Sequence, residues 1–127
     1  MRILLDTHIL LWAIAEPQRL PKKTARALTE VGASAWFSAA SYWEICIKQS
    51  LGKLRLTEQW PTQMKRATER NRFQWLPIQR THCRALLDLE HHHRDPFDRM
   101  LVAQALSEDL VIATTDRAIR RYAVETL

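Results

Sequence analysis

The sequence predicts an α/β fold built on a central, mostly parallel sheet. Short apolar runs alternate along the chain with longer stretches of helical periodicity, the pattern of strands joined by crossover helices. The periodic stretches stop at Pro17, Pro21, Gly32 and Gly52, residues that end helices or turn the chain. At 127 residues the chain can bury one core and is too short for two ordinary ones. With 2 Gly, 5 Pro, no internal repeat and no compositionally biased stretch, it shows no linker, and residues 1–127 are expected to form one ordered domain.

Residues 2–5, Arg2 and then Ile3 to Leu5, form a short apolar run up to Asp6 and Thr7, as a buried strand does up to a polar sheet edge. A helix follows over 8–15 and breaks at EPQRLP; the next, over 22–31, stops at Gly32. AWFS, residues 35–38, is short, aromatic and bounded, hence a second strand. Residues 40–51 are helical, with Ser41 in the cap region and Gly52 beyond the end. Thr57 is placed to cap a helix over 58–70 that alternates apolar and basic positions. FQWLPI forms the third strand, 81–89 a helix and EHHHRD a loop. Pro96 opens a helix over 97–108, the usual place for a first-turn proline. LVIAT is the fourth strand, 116–122 a short helix and AVETL a candidate edge strand.

Lys and Arg number 19 against 14 Asp and Glu, a net charge of +5 that favours a polyanionic partner such as nucleic acid. Cys46 and Cys83 form no CxxC pair and are expected to be free, partly buried thiols in a reducing compartment. Apolar runs such as ILLWAIA are far too short to span a bilayer. The first residues superficially resemble a signal peptide, but Asp6 and His8 interrupt the apolar region and no small-residue cleavage site follows. A cytoplasmic location with no membrane contact is expected.

Four carboxylates carry the chemistry: Asp6, Glu44, Asp98 and Asp116. In open parallel sheets ligands bind outside the carboxyl ends of the strands, and Asp6 and Asp116 each fall just past such an end. Each acid also has a plainer role open to it. Asp6 and Asp116 can cap the helices that follow them, and Glu44 can pair with Lys48 on a helix surface. Asp95 is placed to cap the helix that Pro96 opens, with Asp98 in its first turn. If the four converge, a cation is required: at about 5 Å and an effective dielectric of about 20, each like-charge pair costs roughly 3 kcal/mol.

LLDTH, SYWEICIKQSLGKL, HRDPFDRMLVAQA and VIATTD occur in the order and spacing of PIN-domain proteins, and along nearly its whole length the chain resembles the VapC-type toxins among them. The resemblance implies a three-layer α/β/α domain whose acids bind Mg²⁺ or Mn²⁺ and cut RNA. By position, Asp6 matches the acid of the first strand, Glu44 that of the central helix, Asp98 the third and Asp116 the last. Asp98 is preferred to Asp95 because the family's acid lies four to seven residues before its paired small residues, here from Val102 to Ala105. Thr114 resembles the family's Thr or Ser that bonds to the first-strand Asp. The resemblance also implies an antitoxin that wraps a helical surface and blocks the site, and a toxin homodimer.

Such a donor set suits the chemistry. Phosphodiester hydrolysis needs a nucleophile at neutral pH and neutralised phosphate charge, and a hard cation held by oxygen ligands provides both. Lys48 and Arg99, with Arg94 behind them, are candidates to hold the substrate backbone, a contact that positions a strand without reading its sequence. The adjacent His91, His92 and His93 cannot easily converge on one ion and have no Cys or HExxH partner; a loop lining the site is the stronger role, through His93. Among five tryptophans, Trp36 and Trp75 belong to strands and are expected in the core, while Trp12, Trp43 and Trp60 lie on helices, packed inward or facing a partner groove. The rival function is a catalytically weak RNA-binding or regulatory protein of the same fold. A haloacid-dehalogenase-type phosphatase would need a second Asp where His8 stands, and a receiver domain an acid after FQWLP, where none appears.

Overall fold

The three consecutive apolar residues of the first strand, Ile3, Leu4 and Leu5, are all fully buried, which is possible only if both faces of that strand are covered. A computed structural model describes residues 1–127 and shows why. The strand β1 (Arg2–Leu5) lies inside a four-stranded sheet with β2 (Ser34–Ser38) on one side and β4 (Val111–Ala113) on the other; β3 (Gln74–Leu76) pairs beyond β2. All three pairings are parallel, and Leu4 stands opposite both Trp36 and Ile112.

Alternate residues of each strand feed two separate cores, as the period of two requires. Ile3, Leu5, Ala35, Phe37 and Ala113 pack with Ile9 and Leu10 of α1 (Thr7–Ala15), Ala27 of α2 (Lys22–Thr29) and Met64 of α4 (Trp60–Arg70). Leu4, Leu76 and Ile112 pack on the opposite face with Leu101, Val102 and Ala105 of α6 (Pro96–Glu108). The helix α3 (Ala39–Ser50) sends Ile45 to the first core and Ala40 to the second. The result is the expected α/β fold, three layers with a wholly parallel sheet in the middle.

Most elements stand where expected, and the differences have local causes. Ser38, not Ser41, caps α3: its Oγ accepts the Ala40 N–H at 2.9 Å, while Ser41 is buried inside the helix. Thr57 caps nothing; its carbonyl accepts the Trp60 N–H, and α4 starts two residues later than expected, where Pro61 fits the first turn. The helix expected over 81–89 divides into α5 (Arg80–Ala85) and a 3₁₀ turn, Leu86–Asp88. That expected over 116–122 shrinks to the 3₁₀ turn Ile119–Arg121. Gly52, with a φ of 71°, takes the left-handed conformation just past the end of α3, whereas α2 ends at Thr29, two residues earlier than expected, with Glu30 extended and Gly32, φ 82°, in the turn beyond. The candidate edge strand is a single bridge: Ile112 donates to the Glu125 carbonyl and accepts from the Leu127 N–H.

Two burial expectations are corrected. Trp75 is 49% exposed because β3 is the sheet edge, and it stacks edge-on against Phe37 and Tyr42. Both cysteines are free, as expected, but exposed. No helix is long and apolar enough to cross a membrane.

One buried polar group ties the second core to the end of β2. Gln104 accepts from the Ser38 hydroxyl at 2.5 Å and donates to the Pro77 carbonyl at 3.2 Å. Gln104→Leu keeps the volume and leaves the buried Ser38 hydroxyl without its acceptor; a loss of about 1–3 kcal/mol is expected, read from the urea midpoint.

Candidate functional site

Each sequence-predicted acid turns out to serve a local structural role as well. Where β1 ends, Asp6 caps α1, its Oδ1 accepting the Ile9 N–H at 2.8 Å. Its own N–H donates to the Ala113 carbonyl at 3.1 Å, which fixes it against the end of β4. Burial pushes the Asp6 carboxyl above its ordinary pKa; the Thr114 hydroxyl, the Ile9 amide and His8 oppose the rise, and Asp116 adds to it.

Glu44 faces inward from α3 and is 4% exposed. Its Oε1 accepts from the Thr7 hydroxyl at 2.6 Å, and its Oε2 accepts from Lys48 Nζ. The four-residue pair with Lys48 therefore exists, but at the rim of a pocket rather than on an open helix face. The Glu44 contact raises the Lys48 pKa, with the charges of Asp95 and Asp98 adding to it against desolvation.

At the start of α6, Asp95 acts as the expected cap, its Oδ1 accepting from the Phe97 and Asp98 amides at 2.9 and 3.0 Å. Asp98, in that first turn, has its pKa raised to about 7, foremost by burial and then by Asp95; Asp116 and Glu44 add to the rise and a bond from His93 opposes it. Asp116 is exposed, and its Oδ1 accepts the Ala118 N–H at 2.7 Å while its own N–H donates to Thr114 Oγ1 at 2.9 Å. The four acids thus lie near enough for their charges to act on one another, Asp98 feeling Glu44 and Asp116, and Asp6 feeling Asp116.

They do not close on a single point. No three His, Cys, Asp or Glu side chains stand as a ready ligand set for one ion. The donor chemistry nonetheless fits a hard divalent cation: every candidate is a carboxylate oxygen, the cluster has negative charge to spare, and Mg²⁺ keeps several waters of its own and needs few direct protein ligands. Asp6, Glu44, Asp98 and Asp116 could hold such an ion.

The basic residues divide. Lys48 lines a cavity of about 210 Å³ together with Thr7, His8 and Lys53. Arg99, expected to hold substrate, is turned the other way: it is 9% exposed and donates to the Glu90 carbonyl at 2.8 Å and the Tyr122 hydroxyl at 2.9 Å. Arg94 is exposed. The three histidines point apart. His93 touches Asp98, His92 pairs with Glu90 at 2.9 Å and packs edge-on against Tyr122, and His91 is exposed. Sequence reasoning missed Thr7 and Lys53. Thr7 was signalled by its place directly after Asp6; Lys53 reaches the cavity because its N–H folds back onto the Lys48 carbonyl at 2.8 Å, a contact no pattern reveals.

Residues 3–125 match the family model described as the PIN domain. Among solved structures the chain is similar to VapBC2 from Rickettsia felis bound to a DNA fragment from their promoter, with a TM-score of 0.77, 15% identity, and 100% of this chain and 98% of that one covered. It is similar to VapBC-1 from nontypeable Haemophilus influenzae, at a TM-score of 0.71 and 21% identity, covering 100% of this chain and 97% of the other. FitAcB from Neisseria gonorrhoeae gives a TM-score of 0.59 at 20% identity, with 98% and 96% covered. No curated protein matches the chain significantly.

The raised Asp98 pKa has a stability consequence. Folded Asp98 titrates at about 7 against an ordinary 3.8, so between those values the folded state binds more protons than the unfolded one, and metal-free stability falls as pH rises through that window. Asp98→Asn removes the penalty. Its melting temperature in chelator is expected to exceed the wild-type value above about pH 7 and to converge with it below about pH 4, followed by circular dichroism.

Proposed function

Since the chain belongs to the PIN domain family, we propose that it is a divalent-metal-dependent endoribonuclease and the toxin of a type II toxin–antitoxin pair. The observation that carries the catalytic part is the electrostatic coupling of Asp6, Glu44, Asp98 and Asp116, a cluster short of positive charge. The likeness to VapBC and FitAcB structures over their full length supports the toxin part.

In this reading Asp6, Glu44, Asp98 and Asp116 hold Mg²⁺ or Mn²⁺, which when bound supplies a nucleophile from water at neutral pH and neutralises charge on the phosphate. Thr114, buried and bonded to the Asp116 amide, braces the Asp6 side of the site. Thr7 fixes one oxygen of Glu44 and Lys48 the other. Lys48, paired with Glu44, and Lys53 beside it in the same cavity would be the groups to take a phosphate of the RNA backbone if a cation held by the acids took over the charge of Glu44. Attack is by water, with no covalent enzyme intermediate. The cognate antitoxin and a second toxin copy are the protein partners; exposed Trp43, 58% accessible and stacked on Phe97, lies on the α3–α6 side available to them.

The rival reading is a catalytically weak RNA-binding or regulatory protein of the same fold. One assay separates the two. Cleavage of a structured RNA in Mg²⁺ is expected, abolished by EDTA and reduced about 10²-fold or more by Asp6→Asn or Asp98→Asn. Full cleavage surviving either substitution would sink the mechanism, and no cleavage by the wild type would favour the rival.

A further inference from the structure

The Asp98 carboxylate is joined to the interior by a chain of side chains that the proposed reaction does not use. His93 Nε2 lies 3.2 Å from Asp98 Oδ2, and His93 Nδ1 lies 2.8 Å from the Tyr122 hydroxyl. That hydroxyl accepts from Arg99 at 2.9 Å. Tyr122 and Arg99 are buried, at 4% and 9% exposure, and Arg99 also grips the Glu90 carbonyl, which anchors the loop bearing the histidines.

The proton direction along this chain follows from its two ends. A guanidinium can only donate and a carboxylate can only accept, so Arg99 donates to the Tyr122 oxygen, Asp98 takes a proton from His93 Nε2, and the single Tyr122 proton goes to His93 Nδ1. A neutral imidazole accepting at Nδ1 holds its own proton on Nε2, and that proton is donated to Asp98 Oδ2. Asp98 Oδ1 is left without a bond from the protein. We propose that Arg99, Tyr122 and His93 form a one-way series of hydrogen bonds that sets the orientation of the Asp98 carboxylate and so presents its other oxygen to the cation. His93 and Tyr122 are then positioning residues. The inference rests on Asp98 being a metal ligand and deepens that reading. It also accounts for Arg99, which serves the site from behind rather than gripping RNA.

A brace that only holds the loop would act on stability alone, whereas orientation of a ligand acts on metal affinity. The test measures Mn²⁺ binding by calorimetry, melting temperature, and kcat and KM for RNA cleavage. The variants are Tyr122→Phe, His93→Ala, His93→Gln and the double variant His93→Ala with Tyr122→Phe. Tyr122→Phe keeps the ring against His92 and loses only the hydroxyl. It is expected to weaken Mn²⁺ binding about tenfold or more, the usual effect of removing a ligand's hydrogen-bond partner, and to lower kcat with little change in KM. His93→Ala should do at least as much, and the double variant no more than His93→Ala. Glutamine can accept from Tyr122 and donate to Asp98, so His93→Gln should recover most of the affinity. Long-range ¹H–¹⁵N spectra at about pH 8, above the ordinary imidazole range, should show His93 protonated on Nε2 alone.

The opposite tautomer, or folded Tyr122→Phe and His93→Ala proteins that bind Mn²⁺ as the wild type does, would overturn the proposal and leave the metal site standing. A wild-type protein with no Mn²⁺ affinity would overturn the proposal together with the assignment of Asp98 as a ligand.

Discussion

All four strands run the same way, so each delivers its carboxyl end to one side of the sheet, and the candidate acids lie near one another because of that single constraint. Asp6 follows β1, Ser38 ends β2 and leads into the helix bearing Glu44, and Thr114 and Asp116 follow β4. Asp98 reaches the same side by the complementary route. The helix α6 runs into β4 as the return leg of a crossover, so its first turn, where Asp98 stands, begins where the strands end. Residues separated by more than a hundred positions in the chain become neighbours through topology alone.

Gathering like charges is unfavourable, and the structure offsets it piecemeal. Asp6 and Asp95 spend an oxygen on helix caps, and Asp98 sits at the positive end of α6. Lys48 sits against Glu44, and His93 against Asp98. These partners do not cancel the cost: burial first, and the neighbouring acids after it, keep the Asp6 and Asp98 pKa values raised. Capping and metal binding were alternatives for an acid read in isolation. In the fold they are compatible, because a carboxylate has two oxygens and a cap takes one.

The backbone plan was legible because it follows from short-range rules: the unbroken apolar run of a strand covered on both faces in β1, the proline that opens α6, the glycine just past the end of α3. The placement of the candidate acids was legible to the extent that an acid's address is set by the strand or helix next to it, as for Asp6 and Asp116. Glu44 needed the family resemblance, since its inward orientation depends on the Thr7 hydroxyl, 37 residues away. Arg99 was misplaced for the same reason. Its partners, the Glu90 carbonyl and the Tyr122 hydroxyl, lie in a loop and a turn without periodicity, so nothing local says which way the guanidinium points. Trp75 was misjudged because a strand's pattern does not reveal that it stands at the sheet edge.

The two margins of the sheet are unlike each other. Beyond β4, the backbone of Ile112 is already engaged by Glu125 and Leu127, and Arg120 clasps the Leu127 carbonyl at 3.2 Å, so that margin is sealed by the chain itself. Beyond β3 no strand follows; only three residues run there, and Pro77 directly after them has no N–H to offer. Lateral growth of the sheet by an added strand therefore has one side open to it, and that side is short. A sheet sealed at one margin and only three residues long at the other offers little edge for a further strand to pair with.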